Sequence, residues 1–139
     1  MIILDTSGLL AAIDGSQRQH AEAAAALRDA PAPWLLSPFV LAELAYLLAS
    51  RVGQAAERAL LAEVGRGVFR LESFDAEDIQ AAERLIARHA NLDIGLADAS
   101  LVVLAHRYAI REILTLDERH FRVLRAGNGR PFRVLPADA

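Results

Sequence analysis

At 139 residues, 54% of them hydrophobic and none of them cysteine, the chain is sized for one domain with a real core, and disulfides, thiolate zinc sites and cysteine nucleophiles are excluded. Its formal charge of −3 argues against a generally cationic nucleic-acid binder. No apolar run approaches the ~20 residues that cross a bilayer, and the N-terminus has no basic signal-peptide region, so residues 1–139 are expected to form one cytoplasmic domain.

Ile2 to Leu4 reads as a short buried strand, and the Thr6-Ser7-Gly8 turn leads into a brief helix. Ser16 is placed to cap a helix reaching about Ala30, where Pro31 and Pro33 stop it. Trp34 to Leu36 follows as a strand. Ser37 then stands as N-cap before Pro38 at the first helical position, for a helix to about Arg51. Gln54 to Val64 continues as helix, and Gly65 and Gly67 punctuate it. Val68 to Phe74 alternates in strand fashion, Asp75 opens a helix over DAEDIQAAERLIARHA, and Asn91 to Gly95 forms a loop. A helix over Leu96 to Tyr108 and a strand over Ile113 to Leu116 come next, and a last strand over Phe132 to Leu135 follows the Gly127-Asn128-Gly129 turn. Short continuous apolar strands alternating with helices predict a three-layer α/β/α sandwich around a mostly parallel sheet.

Four acids stand out on that frame. Asp5 ends the run Met1 to Leu4, and Asp117 follows Ile113-Leu114-Thr115-Leu116. Glu43 is the only charge in FVLAELAYLLA, and Asp98 the only charge in IGLADASLVVLA. Asp5 and Asp117 lie just past strands, where open α/β sheets bind ligands. The one-turn neighbours Phe39, Val40, Tyr46 and Leu47 predict that Glu43 faces inward, and Leu101 and Val102 predict the same for Asp98. Two carboxylates ~4 Å apart repel by about 4 kcal/mol at an effective dielectric of ~20. The chain has no lysine, and no arginine lies within five residues of Asp5, Glu43 or Asp98. A hard divalent cation, Mg2+ or Mn2+, is the economical counter-charge.

Each acid taken singly has a plainer reading. Asp5 and Asp117 are at positions that suit N-caps, and Asp98 in a first helical turn is favoured by the helix dipole. Glu43 lies too deep in its helix for either. Asp14 and Asp93 read as loop or cap residues, His20, His89 and His106 as helix surface, and Trp34 as core. All 15 basic residues are arginine, and Arg119, Arg122, Arg125, Arg130 and Arg133 fall in a segment without acids between Glu118 and Asp138. Arginine suits phosphate, so Arg119, Arg122 and the nearby His120 are candidate phosphate contacts; a solvated arginine surface explains them equally well.

Together the segments MIILDTSGLLAA, SPFVLAELAYLL, IGLADASLVVLA and ILTLDERHF resemble a PIN-domain nuclease, in particular the VapC-type toxins of bacterial toxin–antitoxin pairs, over nearly the whole chain. The resemblance implies that Asp5, Glu43 and Asp98 are the three core acids of a metal-dependent endoribonuclease site and Asp117 the fourth. Thr6 and Ser7 match the small polar residues that support the first acid. It further implies RNA as substrate, 5′-phosphate and 3′-hydroxyl products, a homodimer, and an antitoxin whose C-terminal arm fills the groove. One departure is visible: many members carry an Asp three residues after the fourth acid, where this chain has His120. Phosphoaspartyl enzymes and P-loop proteins need a lysine that is absent, and no Gly-x-Ser-x-Gly turn marks a serine hydrolase. The rival of a different class is a PIN-like binding or scaffold module with little catalysis.

Overall fold

Three consecutive apolar residues in a strand place side chains on both faces of a sheet, so burying all three requires cover on both sides. That is the situation of β1 (Ile2–Leu4), whose three residues are at most 1% exposed. The computed structural model describes all 139 residues. β1 pairs in parallel with β2 (Trp34–Leu36) on one side and with β4 (Glu112–Leu114) on the other. β3 (Arg70–Leu71) and β5 (Arg133–Leu135) complete a five-stranded, all-parallel sheet in the order β3-β2-β1-β4-β5.

The helices are α1 (Thr6–Ile13), α2 (His20–Asp29), α3 (Pro38–Arg51), α4 (Gln54–Gly65), α5 (Ala76–Arg88), α6 (Leu96–Tyr108) and the short α7 (Glu118–Phe121). Helix α1 packs on α2 and α3, while α6 packs on α5 and on β1. The core joins strand residues Ile3, Leu35 and Ile113 to Leu9, Leu44, Leu48, Leu101, Leu104 and Phe121 from the helices. The expected α/β architecture is therefore present. None of its helices is long and apolar enough to cross a membrane.

Local chemistry sets the boundaries. Ser37 caps α3, its hydroxyl accepting from Phe39 N at 3.2 Å with Pro38 at the first helical position. Asp75 and Asp78 exchange side-chain-to-backbone bonds at 3.0 Å to start α5. Helix α2 begins at His20, not at Ser16, because the Ser16 amide and hydroxyl are both spent on Asp14 Oδ1, at 3.0 and 2.8 Å. That local turn competes with helix initiation and wins. The alternating stretch Val68 to Phe74 yields only the two strand residues of β3, on the edge of the sheet, where one face has little cover and Val68 and Leu71 stay exposed.

The topology also decides where a site can form. From β1 the chain goes outward to β2 and β3, then returns to place β4 and β5 on the opposite side. The carboxyl ends of β1 and β4, paired at Leu4 and Leu114, thus flank the switch point of the sheet. Gly8 lets α1 sit directly over that point. A Cβ there would fall 2.4 Å from the carbonyl oxygen of Leu114 and 2.8 Å from the amide of Thr115, both rigid strand backbone.

Gly8→Ala is therefore expected to lower unfolding free energy by about 1–3 kcal/mol. Gly65→Ala, at a helical position with open space around its Cβ, should change it by less than about 1 kcal/mol and in the stabilising direction. Urea denaturation of the two variants checks this, and equal stabilities would remove the argument that Gly8 is required by close packing.

Candidate active site

Asp5 leaves β1 as the N-cap of α1, an extended residue whose Oδ1 accepts from Thr6 N at 2.8 Å. Its Oδ2 accepts from the hydroxyl of Thr115, one residue past β4, at 2.6 Å, and from Ser7 Oγ at 3.3 Å. The carboxylate is 5% exposed. All its hydrogen-bond donors are neutral. Burial raises its pKa to about 6, and the charges of Asp98 and Asp117 push in the same direction against the hydrogen bonds from Thr115 and Thr6.

Asp117 repeats the capping device at the other strand. It caps α7, with Oδ1 accepting from His120 N at 3.0 Å, and its own amide donates to Thr115 Oγ1 at 2.9 Å. Ser7 Oγ accepts from Leu116 N at 3.0 Å, so the turns after β1 and β4 are stitched together by Ser7 and Thr115. Thr115 is a supporting residue that chain reading passed over as part of a strand. Its signal was its place two residues before Asp117.

Asp98 enters in the first turn of α6, its Oδ2 accepting from Gly95 N at 3.2 Å. Burial raises its pKa too, reinforced by Asp117 and Glu43. Glu43 arrives on α3, where Thr6 Oγ1 donates to its Oε1 at 2.7 Å. The inward orientation expected for Glu43 needs correction. It is exposed, because α3 buries the stripe Val40, Leu44 and Leu48, while the adjacent stripe Glu43, Leu47 and Arg51 faces an open cleft. A buried hydrogen bond of 2.8 Å between Ser37 and Ser100 ties α3 to α6 and holds the two acid-bearing helices in register.

The cleft, about 360 Å3, is lined by Asp5, Thr6, Ser7, Glu43, Asp98 and Asp117, with Gln17 and Arg51 at its polar margin. No carboxylate of the four is paired with a guanidinium. The contrast within the same molecule is Glu72, 7% exposed, which accepts from Arg70 Nε at 3.0 Å, from Arg107 at 3.2 Å and from the Tyr108 hydroxyl. A buried acid that serves the fold is thus neutralised by arginine, and the acids of the cleft are not.

The outlying candidates fall differently. Asp14 caps the end of α1 and Asp93 sits in a left-handed turn, as loop and cap residues do. Arg122 is committed to Glu118 and Asp138, each at 2.8 Å, and Arg119 is exposed on α7 outside the cleft lining. His120 is turned inward: its Nδ1 lies 2.7 Å from Asp117 Oδ2 and 3.8 Å from Asp98 Oδ2. Asp98, Asp117 and His120 each present a ligand atom within 4.8 Å of the others, a spacing that suits a shared cation. Arg51, which the sequence reading did not single out, is the only cation lining the cleft. Its spacing of four and eight residues from Leu47 and Glu43 was the available signal.

Comparison with known proteins agrees with this geometry. The family model described as PIN domain matches residues 2–126. Ribonuclease VapC26 of Mycobacterium tuberculosis (strain ATCC 25618 / H37Rv) is 44% identical over 135 residues, which cover 97% of this chain and 100% of that protein. The crystal structure of Mycobacterium tuberculosis VapC20, a Sarcin-Ricin loop cleaving toxin, superposes with a TM-score of 0.79 at 26% identity, covering 84% of this chain and 90% of that one. Matched through most of its length by the family model and along the whole of a curated relative, this chain belongs to the PIN-domain family.

Proposed function

We propose that this ribonuclease hydrolyses RNA phosphodiester bonds at the cleft lined by Asp5, Glu43, Asp98 and Asp117, that it needs a divalent cation there, and that it is the toxin of a toxin–antitoxin pair. The observation that carries the reading is the convergence of four carboxylates with no guanidinium partner at the switch point of a parallel sheet. It favours catalysis over a scaffold role, since a binding module has no use for this unrelieved repulsion.

The residues fit a cation by their own chemistry. A nearly buried carboxyl whose pKa is lifted to about 6 is a group short of positive charge. Oxygen donors from Asp5, Glu43, Asp98 and Asp117 would hold Mg2+ or Mn2+. When bound, such an ion supplies the charge that acidifies attacking water and offsets the negative charge on the scissile phosphate and on the leaving oxygen. Thr6 and Thr115 orient the Asp5 carboxylate, and Thr6 also holds Glu43, so the ligand set is rigid before substrate arrives. Arg51, without an ion-pair partner on the cleft margin, grips RNA backbone phosphate away from the reacting centre.

Residues 1–139 act as one nuclease domain in the cytoplasm. Tyr46, Val52 and Leu61 are exposed on α3, its C-cap and α4, and they supply apolar surface for a homodimer or for the antitoxin.

Asp5→Asn is expected to reduce RNA cleavage on the order of 1000-fold or more. The same variant should be more stable than the wild type when metal-free at pH 7.5. A carboxyl whose pKa rises from 3.8 to about 6 on folding adds stability that is fully present below pH ~4 and is lost as pH rises through about 6, at most about 3 kcal/mol. The amide carries no such loss, so its advantage should shrink as pH falls from 7.5 to 4. Thermal melts in chelator across that range test the sign, and undiminished cleavage by the variant would overturn the site assignment. Arg51→Ala is expected to raise KM for single-stranded RNA about tenfold with kcat unchanged. Its log–log salt dependence of binding should be shallower by about 0.7. Steady-state kinetics and anisotropy titrations at several ionic strengths read both, and a lower kcat at constant KM would place Arg51 in a different role.

A further inference from the structure

His120 occupies a position that neither a surface residue nor a phosphate contact would take. The cap formed by Asp117 fixes it: Asp117 Oδ1 accepts the His120 amide at 3.0 Å, which leaves Asp117 Oδ2 facing the imidazole of the same residue. Both ring nitrogens are buried and neither has a hydrogen-bond partner. The 2.7 Å contact between Nδ1 and Asp117 Oδ2 is close but poorly aligned, so it is not a hydrogen bond.

A buried donor or acceptor left unmatched destabilises the folded chain. Two ligands of one ion explain the alignment, because each points its lone pair at the ion and not at the other ligand. Donors sharing an octahedral ion with bonds of about 2.1 Å lie about 3 Å apart. The separations from Nδ1 to Asp117 Oδ2 and to Asp98 Oδ2, 2.7 and 3.8 Å, bracket that spacing. The other histidines have no place in the cluster. His20 Nδ1 meets the Ala11 carbonyl at 2.8 Å, His106 Nε2 meets that of Arg125 at 3.2 Å, and His89 caps the end of α5.

We infer that the His120 imidazole is a nitrogen ligand of the cation held between Asp98 and Asp117, and that it biases this site from Mg2+ toward Mn2+. The inference rests on the divalent-cation reading of the cleft. Mg2+ demands hard oxygen donors and sheds water reluctantly, whereas first-row transition ions take imidazole readily. A carboxylate at position 120 would leave an all-oxygen set suited to either ion. The nitrogen makes the set discriminating.

The test is the Mn2+-loaded full chain, read by electron spin-echo modulation. Wild type is expected to show 14N coupling to the bound Mn2+, and His120→Asp to lose it. Calorimetric titration with Mn2+ and with Mg2+ separately should show the affinity ratio falling at least about tenfold in the variant. Absence of 14N coupling in the wild type would overturn the inference without any variant, so misfolding of His120→Asp cannot shelter it. Persistence of the coupling in a folded His120→Asp would overturn it as well. If Mn2+ binds without nitrogen coupling and RNA is still cut, the inference is overturned, the imidazole is only a neighbour of the ion, and the carboxylate site stands. If no divalent ion binds at all, the inference and the cation reading fall together.

Discussion

A carboxylate withdrawn from water with only neutral hydrogen-bond donors around it is the constraint on which the rest of this molecule turns. Asp5 is held by an amide and two hydroxyls, while Asp98 and Asp117 add negative charge to its surroundings. Glu72 shows that the chain can bury an acid conventionally, with two arginines and a tyrosine hydroxyl. The difference between those two environments separates an acid neutralised within the fold from one left without a positive partner, which is the basis of the cation site proposed above. It also sets the direction of linkage. On the proposed reading, a cation would favour the ionised form of Asp5, so that its binding would expel a proton and tighten as pH rises through about 6.

The fold meets this constraint with ordinary devices used twice. Asp5 and Asp117 are both helix N-caps, and Asp98 accepts the amide of the residue before its helix. The capping and the functional readings of these acids are therefore not alternatives. In Asp117 the cap spends one carboxylate oxygen on backbone and leaves the other facing His120, which is how a short side chain is aimed without a large supporting structure. Thr115 and Ser7 join the two capped turns across the sheet switch point, and the absence of a Cβ at Gly8 lets α1 come close enough for them to meet.

On the proposed reading, an acidic cleft that acts on a polyanion must be made attractive to it. Arg51 stands on the same face of α3 as Glu43, two turns on, where it can touch backbone phosphate without neutralising the carboxylates. The arginines of the C-terminal segment are in part otherwise employed, since Arg122 closes an ion-pair network with Glu118 and Asp138. Charge runs along a chain give poor guidance to such roles, because a single distant carboxylate such as Asp138 cancels them.

The sequence by itself determined the sheet class, the places of α3 and α6, and the four acids. Short apolar strands, a Ser-Pro cap and lone charges in apolar runs are local signals, and they are legible because burial and capping act locally. Only tertiary structure decided which face of α3 meets solvent, that Thr115 reaches across to Asp5, that Ser16 serves Asp14 and not a helix, and that His120 turns toward Asp98. Those outcomes depend on contacts between residues far apart in the chain, or on competition between nearby hydrogen bonds. Periodicity carries no information about either, because it records only which residues avoid water and not which of them meet.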